Sequence, residues 1–241
     1  GLAYVGDVSG GLSATLKDFW QSYPSTLQID SARTNVARMT VWLWSPEAEP
    51  MDLRHYDDRA HGLESSYEDV QKGMSEPYGI GRTSIITLRP YSSVPATFRL
   101  KQDAIVSADD ARLLPTAEYL HDKKAFGVWS LPRQSTDSVT SVVENKLNWW
   151  IETYKKAVAD YHWFGFWNYG DFMHAYSPER SEWRYDVGGY AWDNTELASP
   201  DWLWYSFLRT GRADIWKMAE AMTRHNSEVD VYHLGDRKSV V

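Results

Sequence analysis

The chain has 241 residues, 43% of them hydrophobic, a formal net charge of −8 and no cysteine. That length and apolar share exclude a disordered segment and provide for one large core or two smaller ones, while the lack of Cys excludes disulfides, thiolate metal sites and cysteine nucleophiles. The negative balance argues against nucleic acid as a partner, and no apolar run approaches the ~20 residues of a membrane span. An acidic ligand would need a local basic site, because the overall charge does not steer a polyanion. The chain opens on Gly1 rather than Met and lacks the basic start and apolar centre of a secretion signal, so it is read as an internal piece of a larger protein.

The first half carries strand patterns. Residues 36–44 (VARMTVWLW) place Met39, Val41 and Leu43 on one face and Arg38 and Thr40 on the other, the alternation of a half-buried strand. Residues 83–89 (TSIITLR) and 96–100 (ATFRL) are expected to be further short strands. Gly10-Gly11, Pro24 and the stretch 90–95 are read as breaks. Together these predict a sheet or sandwich fragment.

The second half carries helix patterns. From 138 to 161, apolar residues recur at Val143, Leu147, Ile151, Tyr154, Val158 and Tyr161, behind the N-cap candidates Thr136, Asp137 and Ser138. A second helix is expected over about 195–208, stopped near Gly211. A third, over 213–225, carries Ile215, Met218, Ala219 and Met222 on one stripe. Helices in such succession predict antiparallel hairpins of an α-bundle or an α/α toroid. Residues 162–183 between the first two are aromatic, contain Gly and lack a period, which marks a long functional loop. Residues 236–241 (DRKSVV) are read as a non-native tail, translated from an adapter oligonucleotide.

Of the 13 Trp, nine fall between Trp149 and Trp216. Indole faces suit both core packing and stacking against sugar rings. The densest chemical cluster lies there too. It comprises 164–174 (FGFWNYGDFMH) and 183–196 (WRYDVGGYAWDNTE), with His174, Arg184, Tyr169, Tyr185, Tyr190, Asn168 and the carboxylates Asp171, Asp186, Asp193 and Glu196. So many donors among aromatics form either a satisfied internal network or the lining of a polar cleft. A second cluster, 42–56, ends in Arg54, His55 and Tyr56 on the exit loop of a strand. In a third, Arg224 and His225 stand at the carboxyl end of the third helix, where the helix dipole favours cations without any further role. No His pair has the i, i+4 spacing of a helical zinc site, and no cofactor or metal is expected.

Read together, FWQSYPSTLQI (19–29), WLWSPEAEPMDLRHYD (42–57), FGVWSLP (126–132), WFGFWNYGDFMHAY (163–176), WRYDVGGYAWDNTEL (183–197) and FLRTGRADIWKMAEAMTRHNSEVDVYHLG (207–235) resemble the exo-rhamnogalacturonan lyase family, polysaccharide lyase family 26. The resemblance implies an α+β chain: the end of a central β-sandwich, then the first helices of an α/α toroid. On that basis 1–95 are assigned to the sandwich, 96–135 to a connecting segment, 136–235 to the toroid and 236–241 to the tail. It further implies cleavage of an acidic pectic polysaccharide or oligosaccharide by β-elimination from chain ends; a polymer substrate favours action outside the cell, and charge and hydropathy argue against nucleic acid and membrane as partners.

Such a reaction needs a cation or donor at the uronate carboxylate, a base for the C5 proton and an acid for the leaving oxygen. By residue type, Arg184 and Asn168 are assigned to the carboxylate, His174 to the base and Tyr190 or Tyr185 to the acid. Trp167, Trp192, Tyr169, Arg54 and His55 are assigned to substrate binding, with His55 and Arg54 also in reserve as catalytic groups. Two alternatives remain open here. One is a toroid glycoside hydrolase using a pair among Asp171, Asp186, Asp193 and Glu196; the other is a non-catalytic carbohydrate-binding module.

Overall fold

The computed structural model describes residues 1–49, 77–109, 111–133, 137–183, 192–193 and 197–234. The expected tail, Arg54, His55, Arg184, Tyr185, Tyr190, Asp186 and Glu196 lie outside the described residues. The described residues form two compact units. The first holds 1–49, most of 83–113 and 165–167; the second holds 77–82, 114–164, 168–183 and the residues that follow.

The first unit is built on β1 (Leu2–Asp7), β2 (Gly10–Leu16) and β5 (Ile86–Tyr91), an antiparallel sheet in the order β1-β2-β5, with β3 (Thr26–Asp30) and β4 (Arg38–Trp42) as a separate hairpin. In the turn after β1, the Asp7 carboxylate accepts the Ser9 backbone N–H at 2.8 Å and the Ser9 hydroxyl at 2.6 Å, a local tie that favours reversal. Ser13, Ala14, Thr15 and Leu16 are all buried, so both faces of β2 are covered, as befits a central strand. The strand expected over 36–44 is β4, whose Val41 and Met39 pair with Leu27 and Ile29.

Three local readings are corrected by tertiary packing. Gly10 and Gly11 open β2 rather than break it: Gly10 has φ 129°, and a Cβ there would sit 2.0 Å from the Tyr91 carbonyl oxygen, so glycine is what admits β5. Pro90 lies inside β5, opposite Leu12, and is tolerated because β5 is the outer strand of the described sheet.

The third correction is larger. Residues 96–100, expected as a strand, form the start of α1 (Thr97–Ala108). The short ATFRL window hid the i, i+4 pair between Arg99 Nε and Asp103, at 3.1 Å, which supports a helix. Asp103 is buried and also takes Arg89 and, at 2.7 Å, the Tyr91 hydroxyl, while the Ser107 hydroxyl donates to its carbonyl at 2.8 Å. The Tyr91 hydrogen bond, opposed by burial and reinforced by Arg99 and Arg89, holds this carboxyl below the ordinary carboxylate range. Asp103→Ala should therefore lower the thermal midpoint more than Arg99→Ala. The Arg99 side chain is 62% exposed and readily hydrated, whereas losing the carboxylate strands the Tyr91 hydroxyl and Arg89.

The second unit contains α2 (Ala117–Lys123), α3 (Ser138–Asp160), α4 (Ser199–Thr210) and α5 (Ala213–Glu228), with the two-residue strands β6 (Tyr176–Ser177) and β7 (Glu182–Trp183). The segment 96–135, assigned as connecting, thus carries α1 and α2. Of the three α3 cap candidates, Asp137 is the cap: its carboxylate accepts the Thr140 N–H at 2.8 Å. Leu147, Ile151, Tyr154 and Val158 turn inward, and Val143 and Tyr161 at the ends stay exposed.

Helix α4 begins later than expected, behind Ala198 in the left-handed region (φ 54°) and with proline in its first turn. Gly211, at φ 65°, closes it by donating its N–H to the Phe207 carbonyl at 2.7 Å. Ile151, Phe172, Leu203, Phe207, Ile215, Ala219 and Met222 form the core. Along its rim Arg209 pairs with Glu144 at 2.7 Å, Arg212 with Glu152 at 2.5 Å and Asp214 at 2.6 Å, and Lys155 with Asp214 at 2.6 Å, fixing α3 against the other two helices. Arg212, and then Lys155, hold the Asp214 carboxyl well below its ordinary range against partial burial.

Candidate functional site

The loop after α3 carries the aromatic cluster, and in the second unit it is pinned at successive residues. The Asn168 carbonyl accepts the Asp171 N–H at 3.0 Å. The Tyr169 carbonyl accepts Arg82 Nη2 at 2.8 Å, with the guanidinium 5.6 Å from the centre of the Tyr169 ring. Gly170, at φ 111°, lies against α5: a Cβ there would meet the Ala221 carbonyl oxygen at 2.3 Å and the His225 Cβ at 3.1 Å. Gly170→Ala should accordingly cost about 2–3 kcal/mol, from left-handed strain plus the clash. Urea unfolding checks this, and an unchanged midpoint would mean that the loop does not approach α5 so closely.

Asp171 follows. Its Oδ1 accepts the Phe172 N–H at 2.8 Å, and its Oδ2 lies 3.4 Å from His225 Nε2. Asp230 Oδ1 stands 3.1 Å from the same nitrogen, Nε2. All three side chains are almost fully buried. Desolvation pulls the His225 pKa down, but the hydrogen bonds and charges of Asp171 and Asp230 outweigh it and raise the pKa to about 9. Burial, helped by the Asp171 charge, raises Asp230 above the ordinary carboxylate range, against the opposing pull of His225 and Arg82. The result is a cationic imidazole shared by two carboxylates, with Arg82 as the second positive charge nearby. His225 Nδ1 is buried without a hydrogen-bond partner among the described residues. Among those residues no group of three His, Asp or Glu is arranged to hold a metal ion.

Beyond Asp171 the chain runs through Phe172 and Met173, both in the core, to His174. The Phe172 carbonyl accepts the Asp193 N–H at 2.9 Å, and Met173 forms a β-bridge with Trp192. His174 is half-buried, and its Nε2 is enclosed without a hydrogen-bond partner among the described residues. Asp193 is buried, and its charge adds to desolvation in raising the Tyr154 phenol above its ordinary pKa.

Of the residues proposed from the sequence, Asn168, Tyr169 and His174 thus share one braced loop. Trp192 joins it through the Met173 bridge, with its ring half-buried 6.1 Å from that of Trp163. Trp167 belongs to the first unit, where its ring meets Phe166 edge-on at 5.4 Å and Phe166 in turn meets Trp44.

His225 corrects a reading. It stands in the last turn of α5, as expected, but the helix end is not its whole explanation: it is a buried ion-pair partner of Asp171 and Asp230. The signal was present: His225 falls three residues after Met222, on the stripe of Ile215, Ala219 and Met222 that faces the core.

A β unit followed by a helical unit, with a polar site on the loop between helices, defines a mixed α+β protein. Residues 1–105 match the PcRGLX-like protein central beta sandwich domain, and residues 110–240 match the PcRGLX-like protein C-terminal alpha/alpha toroid domain. The chain belongs to this rhamnogalacturonan lyase-like family, and its order of domains is the one expected from the sequence. It is also 42% identical over 236 residues to the uncharacterized protein YetA of Bacillus subtilis (strain 168), an alignment spanning 98% of this chain and 27% of that protein's length.

Proposed function

We propose that the chain is part of a polysaccharide lyase that cleaves rhamnogalacturonan by β-elimination at galacturonate, acting from chain ends. Family membership supports the substrate class, and the observation that carries the chemistry is the placement of His174, only half-buried, on the same braced loop as Asn168 and Tyr169. In this reading His174 removes the C5 proton. The C5–H electron pair becomes the C4–C5 double bond, the C4–O bond breaks, and the leaving oxygen takes a proton from Tyr190 or Tyr185. Negative charge builds on the substrate carboxylate in the transition state, where Arg184 and the Asn168 amide would offset it. The substrate is an acidic polysaccharide or oligosaccharide, and a polymer of that kind goes with action outside the cell.

Hydrolysis by a pair that includes Asp171 or Asp193 is less well supported. Asp171 is 1% exposed and committed to His225 and the Phe172 N–H, and Asp193 is equally buried, so neither is placed to meet a sugar. The test is ultraviolet absorbance during digestion of rhamnogalacturonan oligomers by the full-length protein. Elimination produces a conjugated uronate and a rising signal. New reducing ends without that signal would refute the proposal.

A further inference from the structure

We infer that His225, clamped between Asp171 and Asp230, is a positioning residue that holds the loop bearing Asn168, Tyr169 and His174 in its working shape. The inference rests on the lyase reading for what the loop does, but not for the clamp itself. Four observations converge on it. His225 Nε2 reaches carboxylates from two separate segments, at 3.4 Å on the loop and 3.1 Å on the stretch after α5. The loop-side carboxylate uses its other oxygen to hold the next backbone N–H, that of Phe172, at 2.8 Å. At Gly170 a Cβ would sit 2.3 Å from the Ala221 carbonyl oxygen and 3.1 Å from the His225 Cβ, so the loop lies close against α5. Arg82, from a third segment, fixes the Tyr169 carbonyl at 2.8 Å, and its charge acts on Asp230.

His225 is sealed from solvent, so it does not itself meet a substrate. Its effect reaches the site through Asp171 and the two residues, Phe172 and Met173, that lead to His174. Buried charge pairs of this kind are weak evidence of net stability, because desolvation consumes much of their attraction; what they supply here is a defined geometry. A loop displaced by about 1 Å loses on the order of a hundredfold in rate when it carries a reacting group.

The experiment uses the full-length protein with His225→Gln, which keeps a donor but not the charge. Asp171→Asn, which keeps an oxygen for the Phe172 N–H, is the second variant should the first fail to fold. Two readouts are taken on protein with native circular dichroism. Amide hydrogen exchange at Asp171 and Phe172 should accelerate by about tenfold or more beyond whatever acceleration the amides of α3 and α4 show. On rhamnogalacturonan oligomers, kcat should fall by about ten- to a hundredfold with KM within about twofold of wild type, a split that general destabilisation would not produce. Unchanged exchange at the two loop amides overturns the inference, as does faster exchange with unchanged kcat. A wild-type protein that makes no conjugated product refutes the lyase reading alone; the exchange rates then decide on the clamp by themselves.

Discussion

His174→Ala in the full-length protein should reduce turnover of rhamnogalacturonan oligomers by about two to four orders of magnitude, the range over which a positioned general base acts. KM should change little, because the loss falls on proton transfer and not on the contacts that hold the sugar in the ground state. The expectation comes from one contrast. His225 is sealed in the interior with its Nε2 engaged by two carboxylates, whereas His174 is only half-buried. Steady-state rates followed by ultraviolet absorbance check the prediction. A loss of less than about fivefold would remove His174 from the role of base, and His55, the reserve candidate on the sandwich side, would be tested next.

The second large effect concerns stability and pH. The folded-state pKa of His225 is raised to about 9 by Asp171 and Asp230, against desolvation, with Arg82 as the opposing charge near the carboxylates. An unfolded histidine titrates near ~6.5. Because the folded value is the higher one, the stabilisation from this group is fully present below the unfolded pKa. It is lost as pH rises through the folded pKa. The loss amounts to on the order of 3 kcal/mol across that window. His225→Gln removes it, so wild type and variant should differ most below about pH 6.5 and converge above about pH 9. Urea midpoints followed by tryptophan fluorescence over this range make the comparison. Parallel pH profiles for the two proteins would mean that the imidazole does not carry the charge assigned to it.

What could be read from the amino acids divides along physical lines. Helices α3, α4 and α5 were legible because their signals are local: the inward row of Leu147, Ile151, Tyr154 and Val158, the Asp137 cap, and the Gly211 stop. The window 96–100 was not, because the ion pair that identifies α1 joins Arg99 to Asp103, beyond its edge, and because the partners of Asp103 on β5 are set by the fold. Gly10 and Pro90 were misread for a related reason. Their usual role as breakers gives way where a strand must approach closely or lies at the outside of a sheet.

Asn168, Tyr169 and His174 were proposed from the density of functional groups along the chain, since they are near neighbours in sequence. His225 was discounted because a favourable helix-end charge was explanation enough locally, while Asp171 lies on a distant loop and Arg82 on another segment again. The period of α5 placed His225 on the buried stripe all along. A buried imidazole demands partners, and that requirement was the clue.

The most direct test of the proposed chemistry is to digest rhamnogalacturonan oligomers with the full-length protein in water enriched in heavy oxygen and weigh the products. β-Elimination takes no oxygen from water, so fragments reduced with borohydride at once, before their new reducing ends exchange with solvent, should carry no heavy oxygen at the cleaved bond, and the unsaturated one should be lighter by one water than its hydrolytic counterpart. A heavy oxygen atom retained at each cleavage, with saturated products, would contradict the account.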